Sequence, residues 1–184
     1  MIQTHCTKKL LARLPLHENG RLPGKRPTPF AANDDGRESP LSGWHANLLL
    51  IQRRQCVMFV HDATRFPVFI PMLQKADFTE LDYFFCDSFM FTLLKTGADN
   101  DLMTRAQTML APLVCDSNCD RSVQGTMNQM TQGIGIAIEY DGINISEISG
   151  YQISAWLADR PCTTKGQKGC IWPIQAMHGL IRSE

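Results

Sequence analysis

Residues 43–71 limit the possible folds of this chain more than any other segment. Three short runs rich in aliphatic and aromatic residues, 46–51, 56–60 and 66–70, are separated by two polar breaks of hairpin-loop length. This spacing predicts an antiparallel meander of three strands. The first two runs do not alternate between apolar and polar residues, so we expect both faces of the sheet to be covered. Pro67 has no N–H to donate, which predicts that the third run is an edge strand or starts late.

The rest of the chain supplies helices for that cover. Apolar residues recur at helical spacing after Pro71, and Gly97 is a natural stop for this helix. We expect a short strand at residues 1–6 and further helices at 7–14, 101–113, 122–140, 146–158 and from Trp172 onward. A strand at 134–138 is an alternative to part of the third of these helices, because glycines interrupt it. The pattern predicts one α+β domain over residues 1–184, a small antiparallel sheet covered by four or five helices.

Residues 16–42 differ from both neighbouring regions. They contain four prolines, mixed charges and few core-forming residues. We interpret them as a long loop or insertion between the first helix and the meander. A functional lid is the alternative, but no motif in the segment favours it.

Composition excludes several classes of protein. The 184 residues carry 18 basic and 18 acidic side chains, so nothing favours bulk attraction to nucleic acid or to an anionic membrane. No apolar run approaches the roughly 20 residues that span a bilayer, and the first residues lack the apolar core of a signal peptide. The seven cysteines are odd in number, and two lie inside apolar runs. We therefore expect free thiols in a reducing compartment, the cytoplasm.

Three stretches together resemble a known family. They are MIQTHCTKKLL at the start, GWHANLLLIQRRQCVMFV followed by DATRFPVFIP in the centre, and DRSVQGTMNQM later in the chain. They are similar to an uncharacterised bacterial domain family whose members carry Cys-Thr-Lys-Lys-Leu-Leu, Trp-Tyr-Ala-Asn-Leu-Leu and Arg-Ser-Val-x-Gly-x-Met-Asn motifs. This chain departs from the pattern at Ser42, His45 and Asp120, where the family is expected to have Asp, Tyr and Asn. The resemblance implies a single domain and implies no chemistry.

The strongest candidate for a binding site is the segment 120–128. A polar turn that opens a helix presents free N–H groups and a positive dipole end, and Arg121 and Ser122 add donors for an anion. Asn128 lies two turns further along the same helix. The alternative is purely structural, since Asp120 as the N-cap would satisfy the helix end by itself.

A second candidate lies at the mouth of the first strand of the meander. Trp44, His45 and Asn47 offer an indole, an imidazole that titrates near neutral pH, and an amide. Alternation places His45 and Asn47 on one face of the strand and Trp44 on the other. The alternative is a tryptophan that closes the core, with Asn47 bonded to a turn.

Basic residues form a third candidate site, for a nucleic-acid backbone. Lys8 and Lys9 would join Arg53 and Arg54 if the first helix packs beside the meander. The same arginines also suit an exposed hairpin turn with no partner. The neutral total charge and the lack of interleaved aromatic residues make nucleic acid the less favoured partner.

The cysteines do not have the spacing of a zinc site. Cys115 and Cys119 are separated by three residues, whereas Cys162 and Cys170 are separated by seven, too wide for a paired knuckle. No motif of a metalloprotease or a serine hydrolase is present. We predict no metal ion and no cofactor.

The sequence favours a non-catalytic cytoplasmic module that binds a small anionic ligand or a protein partner. An enzyme acting on a nucleotide or another phosphate compound is the alternative, and nucleic-acid binding is the second alternative. The enzyme would be assembled from residues that are distant in sequence: His45, Asn47, Asp62, Arg121 and Ser122. Clustering of His45, Asp62 and Arg121 would favour it.

Overall fold

A mixed five-stranded sheet forms the centre of the molecule. The computed structural model describes residues 1–24, 26, 36–163 and 169–183. The strands, in chain order, are β1 (Ile2–Cys6), β2 (Trp44–Ile51), β3 (Arg54–His61), β4 (Pro67–Leu73) and β5 (Leu113–Asp116). They lie side by side in the order β4-β3-β2-β1-β5.

The predicted meander is confirmed in β2, β3 and β4. Trp44 lies opposite His61 and Ile51 opposite Arg54, so the two strands pair over their whole length. The turn between them is built from Gln52 and Arg53, both with positive φ. A two-residue hairpin turn with positive φ at both positions matches the twist of the strands. Strand β4 starts at Pro67 and lies at the edge of the sheet.

The sheet is larger than predicted, because two strands extend it with parallel pairing. Strand β1 lies between β2 and β5 and is parallel to both, with Thr4 opposite Trp44 on one side and Cys115 on the other. The predicted α+β class is confirmed, but the sheet is mixed and not purely antiparallel. Residues 113–116, expected at the end of a helix and the start of a polar turn, are in fact the strand β5.

Within the described ranges, six α-helices accompany the sheet. They are α1 (Lys8–Leu11), α2 (Leu81–Lys95), α3 (Asn100–Met109), α4 (Arg121–Asp141), α5 (Gly150–Ala158) and α6 (Pro173–Ser183). Helix α4 keeps its helical hydrogen bonds through its glycines and ends at Gly142 in the left-handed conformation. The strand alternative at 134–138 is therefore wrong. The helix expected from residue 146 begins later, because Ser146 lies in a short 3-10 helix and Ser149 is the residue that precedes α5.

One face of the sheet, the first face, is covered mainly by α2, α3 and α6. Trp44 is fully buried there, with its ring 4.9 Å from that of Phe85 and 5.7 Å from that of Phe89, both edge-on. Its indole N–H donates to the carbonyl of Leu41 at 2.6 Å. Edge-to-face aromatic pairs add about 0.5–1.5 kcal/mol each beyond area burial, so this cluster is a major stabiliser of the fold.

The other face, the second face, is apolar only where α4 and α5 cover it. Met58, Val60 and Phe69 pack there against side chains of the two helices. Helix α5 comes so close to β4 that a Cβ on Gly150 would lie 2.5 Å from the carbonyl oxygen of Phe69. This close approach requires glycine at the start of α5 and fixes the helix on the edge strand.

The connection expected at residues 16–42 is described only in part, since residues 25 and 27–35 lie outside the described ranges. Its described ends are anchored: Leu22 and Leu41 are buried in the core of the first face, and Arg21 forms a bridge to Val114. Two further short strands, β6 (Cys162–Thr163) and β7 (Cys170–Ile171), pair antiparallel with each other. Within the described ranges, no helix is long and apolar enough to cross a membrane.

Candidate functional site

Polar side chains replace the apolar ones on the part of the second face that α4 and α5 leave uncovered. Side chains alternate along a strand, so the buried Trp44 and Ala46 place His45 and Asn47 on this second face. The same alternation in β1 and β5 brings His5 and Asp116 to it, in directly opposed positions. Chain segments that are distant in sequence thus meet in one polar region.

Two histidine–aspartate pairs lie side by side in this region. Nδ1 of His45 is 2.5 Å from Oδ1 of Asp62, and Nδ1 of His5 is 2.7 Å from Oδ1 of Asp116. The two imidazole rings are 5.1 Å apart between centroids. Asp62 connects the pairs, because its Oδ2 is 4.0 Å from Nε2 of His5.

The two histidines differ in what they can do. His45 is 1 % exposed, and its Nε2 accepts a hydrogen bond from the backbone N–H of Asp120 at 2.5 Å. Its Nδ1 therefore carries the proton shared with Asp62, and both ring nitrogens are engaged. The side chain of His5 is 19 % exposed. Its Nε2 makes no hydrogen bond with any described residue, so it is the imidazole nitrogen free for a ligand or for proton transfer.

Two carboxylates of this region, those of Asp116 and Asp120, have pKa values below the ordinary value for aspartate. Burial raises the pKa of Asp116, but the hydrogen bonds from His5 and Asn118 outweigh it and leave the pKa below its ordinary value. The backbone N–H of Val123 lowers the pKa of Asp120 most, although partial desolvation opposes it, and the N–H of Ser122 contributes in the same direction. Asp120 is thus the N-cap of α4 that the sequence indicated.

A thiol borders the polar region but is not activated. Cys119 donates to the carbonyl of His5 at 3.6 Å. Burial raises the pKa of this thiol, and the charges of Asp116 and Asp62 raise it further, while Gln124 lowers it. A protonated thiol is a poor nucleophile and a poor metal ligand. Among the described residues, no three His, Cys, Asp or Glu side chains converge as a metal site would require.

A buried arginine lies beside the start of α4. Arg65 is 6 % exposed; its guanidinium donates to the backbone carbonyl of Asp62 at 2.7 Å and to Oγ of Ser122 at 3.3 Å. Its Nε is buried with no hydrogen-bond partner. No described carboxylate forms an ion pair with it, which is unusual because buried charges are normally paired.

A cavity of about 520 Å³ opens beside the same helix end. Its described lining contains no carboxylate and consists of Arg121, Ser122, Gly125, Thr126, Gln129 and Thr163. A second cavity of about 160 Å³ shares Thr126 and Gln129 with it and reaches Arg160 and Cys162. Burial raises the pKa of the Cys162 thiol, and the charge of Arg65 offsets part of that rise, so the arginine acts electrostatically on this region.

The structure brings together some of the predicted site residues. Arg121 and Ser122 line the larger cavity, and His45 contacts Asp120 next to them. Asn47 accepts a hydrogen bond from Thr7 at 2.8 Å. Trp44 lies on the opposite side of the sheet in the core of the first face, and Asn128 is exposed on α4 without lining either cavity.

The basic residues proposed for nucleic acid form two separate groups. Lys8 and Lys9 are exposed on α1, beside Ala46, to whose carbonyl Thr7 donates. Arg53 and Arg54 are exposed at the turn between β2 and β3. Arg54 lies opposite Ile51, which is five residues, or about 17 Å, along β2 from Ala46. The described side chains therefore form no single basic surface.

Sequence reasoning missed His5 and Asp116 as site residues. A signal for His5 existed: it alternates with buried Ile2, Thr4 and Cys6 in a predicted strand, and so had to point to the opposite face. Asp116 gave no such signal, since its segment has the composition of a turn.

Comparisons with known proteins agree with the resemblance noted in the sequence. Residues 3–176 match the model of a family described as a domain of unknown function, DUF6933. No curated protein and no solved structure matches the chain significantly. The family match covers nearly the whole chain, including both histidine–aspartate pairs and the start of α4, and the chain therefore belongs to the DUF6933 family.

Proposed function

We propose that the protein binds a small phosphate-bearing anion at the start of α4. The observation that carries this proposal is Arg65, a buried guanidinium that forms no ion pair with any described carboxylate and is reached only by the longer-range charge of Asp120. Burying an unpaired charge costs several kcal/mol even after local relaxation. An anion that enters the adjacent cavity would provide the missing countercharge.

The neighbouring groups suit an anion held by side chains. Arg121 and Ser122 line the cavity, and Ser122 also accepts from Arg65. Asp120 already accepts the N–H groups of Ser122 and Val123, so these two amides are not available to a ligand. Binding would depend on the two guanidinium groups, the hydroxyl and the dipole of the long helix α4.

The first test is calorimetric titration with inorganic phosphate. We expect Arg121→Ala to weaken phosphate binding about 10-fold or more, since a charged hydrogen bond contributes about 1.5–3 kcal/mol. Arg105→Ala is the matched control. Arg105 is an exposed helical arginine that pairs with Asp101, and it is not in the described lining of either cavity. Equal affinity of Arg121→Ala and the wild-type protein would contradict the proposal.

Arg65→Met tests the buried charge itself. If the guanidinium is retained for the ligand, an apolar side chain of similar length leaves the phosphate-free protein as stable as before or more stable. The same variant loses phosphate binding. A large fall in Tm of the phosphate-free variant would instead make Arg65 a structural residue.

An enzyme acting on a phosphate compound is the second candidate, and His5 is the observation that favours it. Asp116 holds Nδ1 of His5 and leaves Nε2 free, an arrangement that suits general acid–base catalysis. The contact of His45 with Asp62 beside the N-cap of α4 supports this candidate. Arg121, the third residue of the expected cluster, follows Asp120 in sequence and lines the cavity, whose described lining includes neither His45 nor Asp62.

Hydrolysis of p-nitrophenyl phosphate and of bis-p-nitrophenyl phosphate tests the second candidate. We expect His5→Gln to lower any hydrolysis by about 100-fold or more. His17→Gln is the control, since His17 is exposed and lies outside the cluster. Hydrolysis that is absent in the wild-type protein, or unchanged in His5→Gln, leaves the non-catalytic binding module as the function.

We further propose that the protein acts in the cytoplasm. All seven cysteines are free thiols, and four of them are buried as small apolar side chains. Fractionation of cells that express the full chain tests this location. Recovery of the protein with membranes or in the medium would contradict it.

A further inference from the structure

We infer that the ligand is elongated and that Arg160 binds a second phosphate group, about 18 Å from the first, at the far end of a groove along α4. The inference rests on the proposed anion site at Arg121 and Ser122. The ligand class is a short single-stranded phosphodiester chain of about three nucleotides.

The groove is formed by the two cavities together. They share Thr126 and Gln129, so the space beside the start of α4 continues past these residues toward Gly133 and the end of α5. Arg121 and Gly133 are twelve residues apart on one helix. At 1.5 Å per residue this separation is about 18 Å, too long for one phosphate and suited to a chain with several.

Charge is distributed along the groove so as to favour an anion. Arg121 is at one end and Arg160 at the other, with Thr126 and Gln129 between them as uncharged polar groups. The described lining includes no aspartate or glutamate in either cavity. Met130, Leu157 and Pro161 border the inner part, and of these the exposed Pro161 offers apolar surface to a base or sugar.

The second cation is held in position by its neighbours. The guanidinium of Arg160 lies over the ring of Trp156, 3.7 Å from the ring centroid. A Cβ on Gly133 would lie 4.0 Å from a terminal nitrogen of Arg160, so glycine leaves space beside the guanidinium. A planar cation fixed on an aromatic ring loses little freedom on binding and presents donors in the geometry that phosphate oxygens accept.

Fluorescence anisotropy with a labelled trithymidylate phosphorylated at both ends tests the inference, alongside calorimetry with inorganic phosphate. Two phosphates bound together predict that the wild-type protein binds the trinucleotide more tightly than phosphate. We expect Arg160→Gln to weaken trinucleotide binding about 10-fold and to leave phosphate binding within 2-fold. The dependence of log K on log salt should become shallower by about 0.7.

Further variants separate this inference from the proposed function. Arg121→Gln should weaken both ligands, and Arg105→Gln, the control, neither. Arg160→Lys keeps the charge but not the planar fork, so its affinity for the trinucleotide should lie between those of the wild-type protein and Arg160→Gln. An affinity as low as that of Arg160→Gln would instead indicate an effect through lost packing on Trp156. If Arg160→Gln changes neither affinity, or changes both equally, the elongated ligand is wrong while the phosphate site stands. If Arg121→Gln changes neither affinity, the proposed function fails as well.

Discussion

The two faces of the sheet show how one set of strands serves two purposes. The first face is mainly apolar and is packed with aromatic rings from β2, β3 and α2. The second face is apolar only under α4 and α5, and beyond them it carries two histidine–aspartate pairs. Strand β2 contributes to both, since Trp44 enters the aromatic core and His45 the polar region.

This division separates the apolar core from the polar region at the scale of single residues. Because alternate side chains point to opposite faces, neighbours in sequence occupy environments that differ in polarity and in exposure. Two buried histidines make the difference plain. His61, on the first face, has Thr64 and the carbonyl of Ser42 as partners, whereas His45 on the second face has the carboxylate of Asp62.

Removal of an aromatic ring from the first face should cause the largest loss in the free energy of unfolding. Phe89 is fully buried, and its ring lies 5.7 Å from that of Trp44 and 6.0 Å from that of Phe66. We expect Phe89→Ala to lower the free energy of unfolding by about 3–5 kcal/mol, through lost burial and the cavity that remains. Urea unfolding measures the loss.

Phe91→Ala is the matched control on the same helix. Its ring is 47 % exposed, so the same deletion should lower the free energy of unfolding by less than about 1 kcal/mol. The folded fraction of Phe89→Ala should bind phosphate with unchanged affinity if the two faces are independent. Equal losses in the two variants, or a weaker phosphate affinity in Phe89→Ala, would contradict the division between the faces.

Acid should destabilise the protein through His61 on the first face. Burial lowers the pKa of His61 from 6.5 to about 4, although the carbonyl of Ser42 and the charge of Asp62 oppose the shift. The unfolded chain therefore takes up a proton between pH 6.5 and pH 4 that the folded protein does not bind. The stabilisation is complete above pH 6.5 and is lost as the pH falls toward 4, by up to about 3 kcal/mol.

A comparison of the wild-type protein with His61→Asn isolates this contribution. The free energy of unfolding, measured in urea from pH 7 to pH 4, should fall more steeply for the wild-type protein than for the variant. Ionised carboxylates such as Asp116 add their losses in both proteins and at lower pH. Parallel pH profiles of the two proteins would show that His61 is not the titrating group.

Local patterns in the sequence were sufficient to predict the meander, the aromatic helix α2 and the N-cap Asp120. Each depends on neighbours within a few residues: the loop lengths of the hairpins, the helical spacing of the phenylalanines, or an acid before a helix. Pro67 also predicted that β4 is an edge strand or starts late, because a residue without an N–H cannot donate to a neighbouring strand. These features are properties of short segments.

The polar region could not be predicted because its contacts are not local. His5 and Asp116 are 111 residues apart, and Arg65 and Ser122 are 57 apart. Parallel pairing of β1 with β5 brings the first pair together, and nothing in a four-residue strand specifies its partner. The position of Arg65 under α4 depends in turn on where the whole helix packs, so its burial without a carboxylate has no signal in the sequence.

The smallest expected effect concerns the carboxylate at the start of α4, where the second face meets the proposed anion site. Asp120 accepts the N–H groups of Ser122 and Val123 at 2.8 and 3.1 Å. Asp120→Ala should lower the free energy of unfolding by about 1 kcal/mol, because both donors lose their partner. Asp120→Asn keeps an acceptor oxygen and should lose less, about 0.3–1 kcal/mol from the helix dipole.

The same pair of variants should change phosphate binding in the opposite direction. Both remove a negative charge beside the proposed anion site, so each should bind phosphate about 2-fold to 5-fold more tightly than the wild-type protein, a gain of about 0.4–1 kcal/mol. Urea unfolding and phosphate calorimetry on the three proteins give both quantities. A loss of stability without any gain in phosphate affinity would mean that Asp120 acts only as a helix cap and that the anion lies elsewhere.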